Sequence, residues 1–271
     1  MSPFSSRRLS STWQRWTHPG HLAIKLVLFF ERRELMLNRP NALTNESLDA
    51  RRTVGAQLRE RLLELPPTPF EWAVFDPVQV LGSNGASPDL RLATLTRLLC
   101  TAPARSAELR ALWNESVLTG AYALRIAPHL GADARVSGIA GLLHRLGDIL
   151  TLRAIAAIEH GARLRLDATS KSELCAEHGG AQLERVVRAW SVPPRAAATA
   201  AEWRRLREFP GAAADATAVY LARLFAIEAT APHFCAPGAI EHAAEELGLG
   251  LDVLSTLRGD ATIAALVNSL Q

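Results

Sequence analysis

A chain of 271 residues with 48% hydrophobic content is long enough to bury a sizeable core; with only 6% aromatics, that core has to be built from Leu, Ala, Val and Ile. The formal net charge of +3 excludes a strongly polyanionic or polycationic chain, but it is unevenly spread, with eleven Lys/Arg against five Asp/Glu in residues 1–62. No apolar run is long enough for a membrane span, and Leu26–Phe30 is too short for a signal-peptide core before Glu31-Arg32-Arg33-Glu34 ends it.

Three cysteines, Cys100, Cys175 and Cys235, lie far apart with no Cys-x-x-Cys pair and no His at zinc-finger spacing. Such a set points to a reducing, cytoplasmic setting in which thiols act as small core residues.

In chain order, residues 1–20 read as a disordered basic tail. Residues 21–105 read as a helical N-terminal region. A helix over His21–Leu37 is stopped by Asn38-Arg39-Pro40-Asn41. A second, over Thr44–Leu65, carries the apolar stripe Leu58, Leu62 and Leu65, and Pro66-Pro67-Thr68-Pro69 breaks it. Asp76-Pro77 and Ser83-Asn84-Gly85 are turn signals, followed by a Leu-rich helix over Asp89–Cys100.

Residues 106–271 read as a second helical domain. Ser106 is a candidate cap for a helix with Leu109, Leu112 and Trp113 that runs to Ala127, and Gly131-Ala132-Asp133 separates it from an Ala-rich helical stretch. Gly161 and Asp167-Ala168-Thr169 mark the next gap. A helix over Lys171–Ala189 ends at Trp190-Ser191-Val192-Pro193-Pro194. Two or three further helices follow, broken near Pro210-Gly211, Pro232 and Gly248-Leu249-Gly250. Alternating β-period segments are missing, so the fold class is all-α.

Within the Ala-rich stretch stands Gly141-Leu142-Leu143-His144-Arg145-Leu146-Gly147, a His beside a charged residue in apolar surroundings. Three further elements flank it in order: Trp113-Asn114-Glu115-Ser116, then Glu173 with His178-Gly179-Gly180-Ala181, then Trp190-Ser191-Val192-Pro193. Together they resemble the HDOD family, the HD-related output domains of bacterial signalling proteins. They are similar to its Trp-x-x-Ser helix, its Gly-Leu-Leu-His-x-x-Gly helix and its Glu…His-x-x-Gly-Ala…Trp-x-Leu-Pro stretch, with Gly180 and Ala181 falling slightly early. The resemblance covers Leu109–Ile227. Leu65-Pro66-Pro67 resembles the start of the family's Leu-Pro-x-Leu-Pro opening, at a distance from Trp113 too short for the family's full N-terminal bundle.

The resemblance implies an HD-like multi-helix bundle of HDOD type whose ancestral metal site has been lost. In HD phosphohydrolases His and Asp side chains converge on divalent cations that activate water and clamp a phosphate. Here Glu115 falls where the first His is expected, and His144-Arg145 where the His-Asp pair is expected. Trp203-Arg204 stands in place of a later His pair, and Ala222-Arg223 in place of the closing Ala-Asp. An always-protonated guanidinium offers only donors and cannot ligate a cation. His144 and His178 alone remain as ligand types, so no metal, no cofactor and no catalytic residue are expected.

Two readings of the remnant stand. In one, His144 and His178 are partly buried residues satisfied by backbone or by carboxylates such as Glu115 and Glu177. In the other, Arg145, Arg204 and Arg223 form an anion cleft for a phosphate or nucleotide. Because 28 of the 30 basic residues are Arg, any single Arg weighs little as a signal.

The functional expectation is therefore a non-enzymatic signal-transduction module that binds a protein partner or a nucleotide second messenger, its input arriving in trans or through the N-terminal region. One alternative is a divergent metal-dependent HD phosphohydrolase using His144, His178 and carboxylates such as Glu115, Asp148 or Glu177. Another is a nucleic-acid-binding regulator using the basic N-terminal arm. His18 and His21, and the basic patch Trp203-Arg204-Arg205-Leu206-Arg207, are weaker signals, read as chance spacing in a tail and as a charged helix face.

Overall fold

A computed structural model describes residues 45–61, 72, 76–82, 90–100, 106–202 and 214–270. Among them there are helices and no strands. In chain order the helices are α1 (Asn45–Arg61), α2 (Pro77–Gly82), α3 (Leu90–Cys100), α4 (Ser106–Ile126), α5 (Ala134–Leu143), α6 (Leu146–Ala162), α7 (Ala168–Ala189), α8 (Pro194–Glu202), α9 (Ala214–Thr230), α10 (Ala239–Glu246), α11 (Leu251–Arg258) and α12 (Ala261–Leu270). Short 3₁₀ turns lie at Ala127–Leu130 and Pro232–Phe234. No described helix is long and apolar enough to cross a membrane.

The 21 residues of α4 make a rod about 30 Å long. Residues 116–124 of this helix are buried at every position, because α5 and α9 pack along it. Small residues let the rods close up. A Cβ on Gly141 would stand 2.8 Å from the Gly120 Cα, so α5 crosses α4 backbone to backbone. One turn later, a Cβ on Gly147 would stand 1.9 Å from the Gly179 carbonyl oxygen, where α6 meets α7. The two glycines that bracket the His144 motif are thus helix-crossing residues, and His144 sits between two fixed crossings.

Side-chain caps set where the helices begin. Asp133 accepts from the Val136 N–H at 3.0 Å to start α5, and Asp167 accepts from the Ser170 N–H at 2.7 Å to start α7. Asp215, buried in the first turn of α9, is gripped by Arg195 through Nε at 2.8 Å and Nη2 at 2.7 Å. The same carboxylate accepts from the Asp133 N–H at 2.8 Å. One buried carboxylate therefore fixes the heads of α5, α8 and α9 relative to one another, and with them the direction in which α9 points its side chains.

The flanking helices join the same core. Val54 and Leu58 of α1 are fully buried within it, and Arg51 pairs with Glu173 of α7. Trp72 stacks on Trp190 with ring centroids 5.9 Å apart. Cys100 and Cys175 are buried thiols outside any disulfide, and burial pushes the Cys100 thiol up to about 11, out of reach of reactive chemistry. At the C-terminal end Arg258 of α11 holds Glu228 of α9 and Glu241 of α10, each at 2.8 Å.

Three sequence expectations need correction. The His144 motif does not lie inside one helix: α5 stops at Leu143 and α6 starts at Leu146. Asp76-Pro77 is more than a turn, since Pro77 opens α2, a helix start for which its fixed φ and missing N–H suit it. Among the described residues five helices, not two or three, follow Trp190, because α8 and α10–α12 are eight to ten residues long and too short to show a clear period. The expected tail, the His21–Leu37 helix, Leu62, Leu65, the Pro66–Pro69 break and the Pro210-Gly211 break lie outside the described residues.

Candidate functional site

Helix α4 presents Glu115, the α5–α6 turn presents His144 and Arg145, and α9 presents Arg223. His144 lies one residue past the end of α5. Its Nδ1–H donates to the Gly141 carbonyl at 2.6 Å, satisfying one of the last four carbonyls that a helix leaves without a partner. That bond fixes the ring and turns Nε2 toward Glu115 Oε1, 3.7 Å away. The distance is too long for a hydrogen bond, and the two would attract as charges only with the imidazole protonated. Glu115 Oε1 instead accepts from Arg223 Nε at 2.8 Å.

These side chains are nearly sealed from water, with 0% exposure for His144, 15% for Glu115 and 12% for Arg223. Burial by itself pushes the Glu115 carboxyl up, but the guanidinium of Arg223 and then that of Arg145 outweigh it. The carboxyl is held well below the usual carboxylate range. Burial also pushes His144 below its ordinary value; Glu115 opposes this, and the two guanidiniums add to it. At neutral pH the centre is therefore a buried carboxylate–guanidinium pair beside a neutral imidazole. Arg145 is engaged as well: its Nε lies 3.3 Å from Oδ2 of Asp148, a buried acid in the first turn of α6.

The ring orientation is one used for metal binding, with Nδ1 held by a backbone carbonyl and Nε2 left to face a ligand. The surroundings do not fit a cation. Nε2 faces the Glu115 carboxylate, and that carboxylate is bonded to a guanidinium. Among the described residues no group of three or more His, Cys, Asp or Glu side chains is placed to hold a metal ion. Arg223 supplies the positive charge at Glu115.

The structure brings together Glu115, His144, Arg145 and Arg223. His178, on α7 beside the Gly147 crossing, has Glu177 Oε1 at 3.6 Å as its carboxylate neighbour. Trp203 and Arg204 lie outside the described residues. Two of the three guanidiniums expected to form an anion cleft are each turned to a carboxylate of the chain itself. Sequence reading did not anticipate the pairing of Arg223 with Glu115, 108 residues away. A signal for it existed: Arg223 is a lone charge inside the apolar run Val219–Ile227 of α9. A charge buried in such a face has to meet an opposite one.

The crossed helices around a turn-borne, backbone-oriented histidine form a helical bundle. More closely, the family model of the HDOD domain matches residues 73–204. The chain carries an HDOD domain, a signalling-associated, HD-related helical domain that takes in α2 through α8. Arg223 and α9–α12 lie beyond the matched residues. No curated protein matches the chain, and no solved structure does.

Proposed function

We propose that this protein is a non-catalytic regulatory module that acts by binding a protein partner on a degenerate HD scaffold. The observation that carries the reading is the bond from Arg223 to Glu115 beside the oriented His144. A divalent cation there would need several converging donors and would meet a guanidinium at close range. A neutralised, nearly buried ion pair is instead a structural tie between α4 and α9. It preserves the scaffold without the chemistry. The pairing of Arg145 with Asp148 counts in the same direction against a nucleotide or phosphate ligand, because a bound anion would have to displace a carboxylate of the chain itself.

The test is turnover by the purified full chain. Phosphomonoesters, phosphodiesters and cyclic nucleotides are offered with Mn²⁺ and with Mg²⁺. The expected result is no metal-dependent hydrolysis above buffer, and calorimetry with Mn²⁺ showing no site near one equivalent. Turnover that requires metal and is abolished by His144→Ala would overturn the proposal in favour of a divergent phosphohydrolase.

A further inference from the structure

The last helix lies along α4 and is tied to it at both ends. At its start, Asp260 Oδ1 accepts from the Thr262 and Ile263 N–H groups at 2.8 and 3.0 Å. The other oxygen of this capping carboxylate pairs with Arg125 Nε near the C-terminal end of α4. At the far end of α12 the Leu270 carbonyl accepts from Asn114 Nδ2 at 2.9 Å. Arg125 and Asn114 stand about 16 Å apart along α4, and Asp260 and Leu270 about 15 Å apart along α12. The two helices therefore run antiparallel and in step.

Between these ties the contact is thin. Ile263, Leu266, Val267 and Leu270 recur at i, i+3, i+4 and i+7 and form one apolar face packed against the core. Of the ten residues of α12 only Ile263 is buried. The face of α4 that it follows is different. Leu118 and Ala121 share the side of α4 that carries Asn114 and Arg125, and both are fully buried. The same α4 bears Glu115, one residue from the Asn114 tie.

We infer that this face of α4 is a helix-docking groove that α12 occupies in cis, and that a partner helix with an acidic N-cap and apolar residues spaced i, i+3 and i+7 displaces it. The chemistry of the occupant is read from α12 itself: an acid for Arg125, an apolar stripe for the strip between, and a carbonyl end for Asn114. The inference rests on the partner-binding reading above and gives it a surface. A helix with one buried residue, laid over a buried apolar strip, is the kind of element that opens locally while the rest of the fold stays closed.

The test uses the full chain, wild type and Asp260→Asn. Asn still caps α12 through its amide oxygen, so the substitution keeps the cap and removes the charge and the acceptor that face Arg125. Hydrogen exchange is followed across α4, α5 and α12, and the probe is a fluorescent peptide with the sequence of residues 259–271. The α12 amides are expected to exchange at least about tenfold faster than those of α4 and α5. Asp260→Asn should raise that rate by up to about fivefold, with the main unfolding transition, read by Trp fluorescence, unchanged. The peptide should bind the variant more tightly than the wild type, and a peptide with Asn in place of its own Asp should bind more weakly. Exchange in α12 as slow as in α4 and α5 would overturn the inference, making α12 a fixed part of the core. Fast exchange without peptide binding to the variant would overturn it equally. Neither readout depends on phosphoester turnover, so failure here is separate from failure of the regulatory reading.

Discussion

Replacing Arg223 by Met removes the guanidinium from Glu115 and keeps most of the side-chain volume. Two unit charges about 4 Å apart attract by about 4 kcal/mol at an effective dielectric of 20. Removing one partner of a buried pair costs about 3–5 kcal/mol, because the other charge is left dehydrated. Since Glu115 and Arg223 keep 15% and 12% of their exposure, a loss near the lower end, about 3 kcal/mol, is expected. For a body of this size that is a drop in Tm of about 6–12 °C. The loss should depend on pH. In the wild type the depressed Glu115 carboxyl adds stability above its unfolded value that is lost only as pH falls through the lower folded one. In the variant, burial is left with its main counterweight gone, so the deficit should be large at pH 7 and shrink toward pH 4. Urea denaturation of the wild type, Arg223→Met, Glu115→Gln and the double variant at both pH values measures this. The double variant should recover most of the loss. A double variant no more stable than Arg223→Met, or a deficit equal at pH 4 and pH 7, would refute the ion-pair argument.

Gly147→Ala should be far more damaging than its size suggests, since the new Cβ would stand 1.9 Å from the Gly179 carbonyl. A Tm more than about 10 °C lower, or loss of soluble protein, is expected. On the same helix a Cβ added at Gly161 would meet nothing within 4 Å, so Gly161→Ala should stabilise by about 0.5–1 kcal/mol. If calorimetry ranks the two alike, the crossing does not control packing. His144 is held below its ordinary value, so the unfolded chain gains a proton there, near pH 6.5, before the folded chain does. Stability should therefore fall as pH drops below about 6.5, and His144→Gln should flatten that fall between pH 7 and pH 5. Parallel slopes in urea melts would show that His144 is not the group responsible. Trp72→Ala, which removes the stack on buried Trp190, should cost about 3–5 kcal/mol and shift Trp190 emission to the red; unchanged emission would show that the stack does not shield Trp190.

The helices with long, capped or strongly patterned segments were legible in the sequence. The spans read for α3, α4 and α7 agree with the structure within a few residues, because period and punctuation are local properties. So was the HDOD resemblance, since its motif residues keep their order along the chain. The break at His144 was not legible. Nothing local distinguishes a helix that continues through Leu143 from one that stops there, and the stop is made by a crossing of α5 with α4 and a ring bond to Gly141.

What the sequence by itself determined is an all-helical fold class and an Arg-rich chain with His144 beside Arg145 in an apolar motif, which the resemblance reads as an HD site without its acid. Only the tertiary structure decided what stands beside that histidine. Glu115 and Arg223 lie 108 residues apart, and they meet because α4 and α9 pack together, with the buried Asp215 fixing the head of α9. The two motif glycines, likewise, read as members of a signature, and their physical role emerges only where another backbone comes within van der Waals reach. Local pattern specifies an element; the partner of a buried charge is specified by which elements the core brings into contact.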